Sequence, residues 1–219
     1  MSASKGVDVE AGSLASQLRE QRSELIVSEL ESVALRLFDE RGFAEVTVDE
    51  IASGAGLSAR TFYRYFAAKE DVLQVRIDRR NAVLRTALRA RPTDEAPLHS
   101  LRLALEEEAS AVDTVLLRRW ISVISTTPSV LKGVVGGLHL KLHPLLAGFF
   151  ASRLDLPDDA LVPTMLAAAS VGVIQAATTQ WFLRGGDLVT AMSESLAVLE
   201  SGIGTDLRAL ADKGPRGIG

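Results

Sequence analysis

Cysteine is absent from this 219-residue chain, so disulfides, zinc–thiolate sites and cysteine nucleophiles are excluded together, and the cytoplasm is the expected compartment. Histidine occurs only at positions 99, 139 and 143. No phosphate loop or serine elbow is present, and Gly202-Ile203-Gly204 lacks both the third glycine and the preceding strand of a dinucleotide fingerprint. Neither a catalytic residue nor a cofactor is therefore expected. The first 21 residues mix Asp8, Glu10, Arg19 and Glu20 with small residues and lack the basic and apolar blocks of a secretion signal. Strand-like alternation is also missing, which leaves an all-α chain as the expectation.

One long uncharged run exists, Ala160 to Leu183, enough in length for a membrane span. Pro163, Thr164, Ser170, Gln175, Thr178, Thr179 and Gln180 make it polar for that purpose, and burial between helices is the expectation, with no membrane partner. Hydrophobic residues at 47% and charged residues at 24% are globular values. The net charge of -4 conceals an uneven distribution: residues 54 to 91 hold nine basic side chains (Arg60, Arg64, Lys69, Arg76, Arg79, Arg80, Arg85, Arg89, Arg91) against three acidic ones. Such a block is either a polyanion-facing surface or a solvated helix face.

Residues 1–20 are polar and aperiodic and are expected to form a mobile arm. From Ser23 the positions Ile26, Leu30, Val33, Ala34, Leu37 and Phe38 mark one face of a helix ended by Gly42. Thr47-Val48-Asp49-Glu50 has the form of a capping box and starts a second helix that stops at Gly54-Ala55-Gly56. Ser58 then caps a third, Ala59 to Phe66, which turns Phe62 and Phe66 inward and presents Arg60, Thr61, Tyr63, Arg64 and Tyr65 around its remaining circumference. A longer helix is expected from Lys69 to about Ala90, and Pro92 to Pro97 reads as a linker. Further helices are expected near 97–112, 114–126, 129–154, 159–184 and 187–203, and residues 213–219 as a frayed tail.

Two short helices joined by a glycine turn, the second polar outside, fit a helix-turn-helix whose second helix enters the major groove of double-stranded DNA. Thr47, Ser58, Ala59, Arg60, Thr61, Tyr63, Arg64 and Tyr65 are the expected DNA-binding positions, and Lys69, at a helix start, a phosphate contact. An ordinary α-hairpin is the alternative. The stretch Ala34 to Phe43, followed by Thr47-Val48-Asp49-Glu50-Ile51-Ala52 and Ala55 to Leu73, resembles the DNA-binding domain of the TetR/AcrR family of transcriptional regulators. The resemblance implies a homodimeric repressor with an N-terminal reader (residues 21–75) and a C-terminal ligand-binding and dimerisation domain (76–212). Arg60 stands where many members carry glycine, and Glu20, Glu24, Glu29 and Glu31 make the first helix acidic where relatives often have a basic arm. In the C-terminal half, Leu117-Arg118-Arg119-Trp120, Thr127-Pro128, Trp181 and Gly185-Gly186 are similar to the branch described as acyl-CoA-like ligand-binding.

Ala168, Gly172 and Ala176 recur every four residues, a small-residue stripe that permits close approach of another helix. With Leu188, Met192 and Leu196 of the last helix it forms the expected dimer interface, a four-helix arrangement implied by the resemblance. Trp120, His139, His143, Phe149, Gln175, Thr179 and Trp181 are the sparse aromatic and polar groups among aliphatic helices, as expected of a small-molecule effector site, or else they pack the core. His139 and His143, one turn apart, are read as surface or pocket residues, with no metal expected. The reading is a ligand-responsive regulator released from a palindromic operator by an apolar or amphipathic molecule. Its rivals are a helical metal-binding or enzymatic protein and a purely structural dimerisation module.

Overall fold

The structure, a computed structural model, describes residues 4–202. Its α-helices are α1 (Ser4–Arg41), α2 (Val48–Gly54), α3 (Ala59–Tyr65), α4 (Val75–Ala90), α5 (Pro97–Ser110), α6 (Thr114–Thr126), α7 (Pro128–Leu154), α8 (Leu161–Arg184) and α9 (Leu188–Ser201), with a 3-10 turn at Lys69–Leu73. No strand occurs among the described residues. The fold is all-α, an N-terminal helix-turn-helix followed by a helical C-terminal region.

Two compact units form. The first runs to Arg76 and includes Arg119–Val134; the second contains Ile77–Arg118 and the chain from Val135 on. In the first, Leu30, Val33, Ala34, Leu35 and Phe38 of α1 are buried with Phe43, Val46, Ile51, Phe62, Phe66, Val72 and Leu73. Each fully buried side chain of this size contributes about 1.5–3 kcal/mol. Leu35 is buried although it lies outside the expected stripe, while Ile26 and Leu37 are only half-buried. Trp120 is buried in the same unit, and its indole N–H donates to the Leu73 carbonyl at 3.0 Å.

Two boundaries differ from expectation. Residues expected as an arm are helical from Ser4 onward, because once the packed turns of α1 nucleate the helix, adding Leu, Gln, Arg and Glu residues N-terminally costs little. The helix expected from Lys69 begins instead as the 3-10 turn and becomes α-helical at Val75. There the Asp71 carboxylate accepts from the Ala68 N–H at 2.8 Å, and the tighter turn buries Val72 and Leu73. The tail at 213–219 lies outside the described residues.

In the second unit α9 packs against α5 and α8. Leu101 and Leu105 of α5, Ile174 and Trp181 of α8, and Leu188, Met192 and Leu196 of α9 are buried. A polar clasp joins α5 to α9: Arg102 Nε donates to Glu200 at 3.0 Å, Arg102 Nη1 to Glu106 at 2.8 Å, and Ser193 Oγ to the same Glu106 oxygen at 2.5 Å. By length and composition alone α7 and α8 could cross a membrane. Each instead divides its apolar residues between a buried side, such as Leu146 and Phe150 or Ile174 and Trp181, and an exposed one.

Candidate nucleic-acid interface

The interface is built on α2 and α3. Thr47 Oγ1 accepts from the Glu50 N–H at 3.2 Å and Glu50 Oε2 accepts from the Thr47 N–H at 2.8 Å, so the capping box is closed. Arg41 Nη1 donates to the other Glu50 oxygen at 2.6 Å, which ties the end of α1 to the start of α2. These contacts, the Thr47 amide first and Arg41 next, hold the Glu50 carboxyl down at about 2. Gly56, at φ +67°, turns the chain between α2 and α3 in a conformation that other residues rarely adopt. Ser58 caps α3 by accepting from the Thr61 N–H at 3.2 Å, and the Ser58 and Thr61 hydroxyls lie 3.0 Å apart.

On α3 itself Phe62 is fully buried, with the Phe66 ring centroid 5.2 Å away. Tyr63 is 57% exposed, and Arg60 and Arg64 are exposed on the same short helix. Ala59 is half-buried at its first turn. Arg64 donates to the Tyr65 hydroxyl at 3.0 Å, with its guanidinium 4.9 Å from that ring's centroid. Burial pushes the Tyr65 phenol up, but hydrogen bonds to Arg64 and Ser23 and the charges of Arg64 and Arg22 bring it below its ordinary value. The contact with Ser23 places α1 beside the outer end of α3, a contribution that the sequence reading missed because the two residues lie far apart along the chain.

Lys69, the expected phosphate contact, is turned toward the connection between α1 and α2. Its ammonium donates to the carbonyls of Phe43 at 2.7 Å, Val46 at 2.9 Å and Ala44 at 3.4 Å, and sits 4.4 Å from the Phe43 ring centroid. Other cations of the basic block are likewise engaged within the protein. Arg76 faces the buried Glu31 at 4.0 Å, Arg80 pairs with the buried Glu108 at 3.0 Å, and Arg91 pairs with Glu95. The exposed positive charge of the helix-turn-helix is thus concentrated on Arg60 and Arg64.

The expected effector residues belong to both units. Trp120 belongs to the first unit and is fixed to Leu73, while Trp181 is 2% exposed in the second, with the Arg118 guanidinium 4.1 Å from its ring centroid. His139 is exposed and His143 half-buried, with ring centroids 5.2 Å apart; Phe149 and Gln175 are half-buried and Thr179 is exposed. Of the expected interface, Ala168, Gly172 and Ala176 are exposed on the outer side of α8. Leu188, Met192 and Leu196 are not: they fill the protomer's own core where α9 meets α5 and α8, so they cannot also face a partner. Leu161 (72% exposed), Met165 (58%) and Leu183 (73%) extend the exposed side of α8 in their place.

Two family models match the chain: that of the bacterial regulatory proteins of the tetR family over residues 31–75, and that of the MftR C-terminal domain over residues 95–204. Among curated relatives, TcmR of Streptomyces glaucescens is 29% identical over 187 residues, covering 81% of this chain and 80% of TcmR. MftR of Mycobacterium tuberculosis is 28% identical over 200 residues, covering 83% and 90%. In fold the chain is similar to the Thermus thermophilus repressor FadR in complex with lauroyl-CoA (TM-score 0.54, 21% identity, 88% of this chain and 100% of that one). It is also similar to NalD of Pseudomonas aeruginosa (TM-score 0.60, 18% identity, 82% and 97%). With a closed capping box, a glycine turn and a short helix that turns Arg60, Tyr63 and Arg64 to solvent, the chain belongs to the TetR family of DNA-binding transcriptional regulators.

Proposed function

We propose that the protein is a homodimeric, cytoplasmic repressor that holds a palindromic operator through two copies of α3 and is released by an amphipathic acyl thioester. The observation that carries the DNA half is the outward face of α3, where Arg60, Tyr63 and Arg64 are exposed on a helix anchored by the buried Phe62. Arg60 and Arg64 reach guanine edges or phosphates, Tyr63 and Thr61 donate to phosphates or bases, and Thr47, Ser58 and Ala59 bring the starts of α2 and α3 against the backbone. Dimerisation is supported by the exposed side of α8, where Leu161, Met165, Ala168, Gly172, Ala176 and Leu183 leave apolar or small surface in water. Two α3 helices in such a dimer must lie about 34–36 Å apart to enter successive major grooves.

The effector class rests on similarity. Structures of the same fold are complexes of FadR with lauroyl-CoA and with stearoyl-CoA, and of SmeT with triclosan. The second unit is largely aliphatic, with His143, Phe149 and Gln175 half-buried. Linkage requires an inducer to bind the free protein more tightly than the DNA complex, by the factor with which it weakens DNA binding. Mobility-shift titration of the DNA upstream of the protein's own gene, with and without lauroyl-CoA, tests the reading. Operator binding that weakens with salt and with the thioester is expected; equal thioester affinity for free and DNA-bound protein refutes the inducer mechanism.

A further inference from the structure

A polar atom taken out of water on folding needs a hydrogen-bond partner, and one left without it weakens the fold. Among the described residues of the second unit four polar side chains are buried: Asn81 on α4, Ser100 and Glu108 on α5, and Ser170 on α8. Two of them are satisfied within the chain. Ser100 donates to Glu95 at 2.8 Å, and Glu108 pairs with Arg80 at 3.0 Å. The Asn81 amide nitrogen and the Ser170 hydroxyl have no hydrogen-bond partner among the described residues. Ser170 is the more telling, because a helical hydroxyl commonly folds back on the carbonyl four residues earlier. On the same helix Thr164 donates to the Ala160 carbonyl at 2.9 Å and Thr178 to that of Ile174 at 2.8 Å, yet Ser170, at 0% exposed, makes no such bond.

The faces that carry them are otherwise apolar. Asn81 shares the buried side of α4 with Leu84 and Leu88, and Ser170 that of α8 with Ala167, Val171 and Ile174. Sparse polar groups on aliphatic faces are what orients a small molecule in an apolar site. We propose that Asn81 and Ser170 are the polar anchors of the effector site, donating to uncharged oxygen acceptors such as the carbonyl of an acyl thioester. The proposal rests on the reading of the second unit as the effector site, and it narrows the effector's chemistry. An amide N–H only donates and a hydroxyl can do so, and both suit a carbonyl oxygen. A carboxylate would need a cation to offset its desolvation. Among the described residues of the second unit no basic side chain is buried, and the buried charge is Glu108, already held by Arg80. A free fatty acid is thus disfavoured where its thioester is accepted. Neither Asn81 nor Ser170 belongs to the expected effector set, because sequence does not tell whether a helical asparagine or serine is paired.

Replacing a buried group that has no partner by an apolar one removes the cost of its desolvation. Asn81→Leu and Ser170→Ala are therefore expected to melt about 2–4 °C higher than the unaltered protein in the absence of ligand. Calorimetry then compares laurate with the thioester of lauric acid and N-acetylcysteamine, which keeps the chain and the carbonyl and carries no nucleotide. The unaltered protein is expected to bind the thioester about tenfold or more tightly than laurate, and each variant to lose about tenfold for the thioester while its laurate affinity changes little. Unchanged thioester affinity in either variant overturns the proposal, and if that variant also melts lower, the group holds a buried water only. An equal loss for both ligands overturns it too, since that marks a disturbed core and not a lost hydrogen bond. Should Asn81→Leu not fold, Ser170→Ala, which removes a single oxygen, decides. If the unaltered protein binds neither ligand, the effector reading fails and the proposal with it, whereas tight thioester binding that a variant retains fails the proposal alone.

Discussion

Gly54 ends α2 against Val33 of α1, so closely that a β-carbon added at Gly54 would lie 2.7 Å from Val33 Cγ1. Val33 is 5% exposed and β-branched, so its methyl has little freedom to swing aside. Gly54→Ala is therefore expected to destabilise the first unit by about 1–3 kcal/mol, the ordinary cost of overpacking, although alanine is the better helix former. A thermal or urea melt checks it. A companion change, Val33→Ala, opens the space, so the double variant should lose less than the sum of the two single losses; additive losses would contradict the contact.

The opposite holds at Gly172, where an added β-carbon meets nothing within 4 Å. Gly172→Glu is expected to leave the protomer folded, by circular dichroism, and to yield a monomer by light scattering, because a dimer closed on α8 would bury the new charge unpaired. Met192→Glu makes the contrast. Met192 is 1% exposed inside the protomer, so that change should cost folding itself. An intact dimer in the Gly172→Glu protein would move the interface away from α8.

Acid should loosen the start of α2. The Glu50 carboxyl stands at about 2 against an ordinary 4.5, so its contribution to stability is fully present above about 4.5 and is lost as pH falls from there toward about 2. Glu50→Gln, which removes the titrating group, is expected to flatten the melting temperature across that interval relative to the unaltered protein. An unchanged acid limb would mean that the capping box does not report on folding.

Replacing Arg60 or Tyr63 by alanine is expected to weaken the operator by about 1–3 kcal/mol while weakening random DNA less. Competition mobility shifts against shuffled sequence measure the difference. Equal losses on both would demote these residues from readers to phosphate contacts.

What was legible in the sequence was what is local. The Thr47–Glu50 box, the Ser58 cap and the one-turn spacing of Phe62 and Phe66 need partners within four residues, and the structure contains all three. The carbonyl contacts of Lys69 are not legible in the sequence because those partners lie 23 to 26 residues upstream. Leu188, Met192 and Leu196 showed that α9 has an apolar face, but periodicity does not say which body covers it, and here α5 and α8 do. Trp120 illustrates the same gap, since nothing local in the sequence points to the Leu73 carbonyl, 47 residues upstream, as the acceptor of its indole N–H.

The inward pairing of Lys69, Arg76, Arg80 and Arg91 bears on how such a protein finds its site in a genome. Affinity for arbitrary DNA scales with the number of phosphates neutralised, and a chain of net charge -4 that pairs such cations within itself has fewer of them for that purpose. A weak, brief hold on random sequence is therefore expected, and stopped-flow dissociation from non-operator DNA would measure it. With such a weak hold, random sequence would sequester fewer copies, and a larger share of the regulator would be free for its operator.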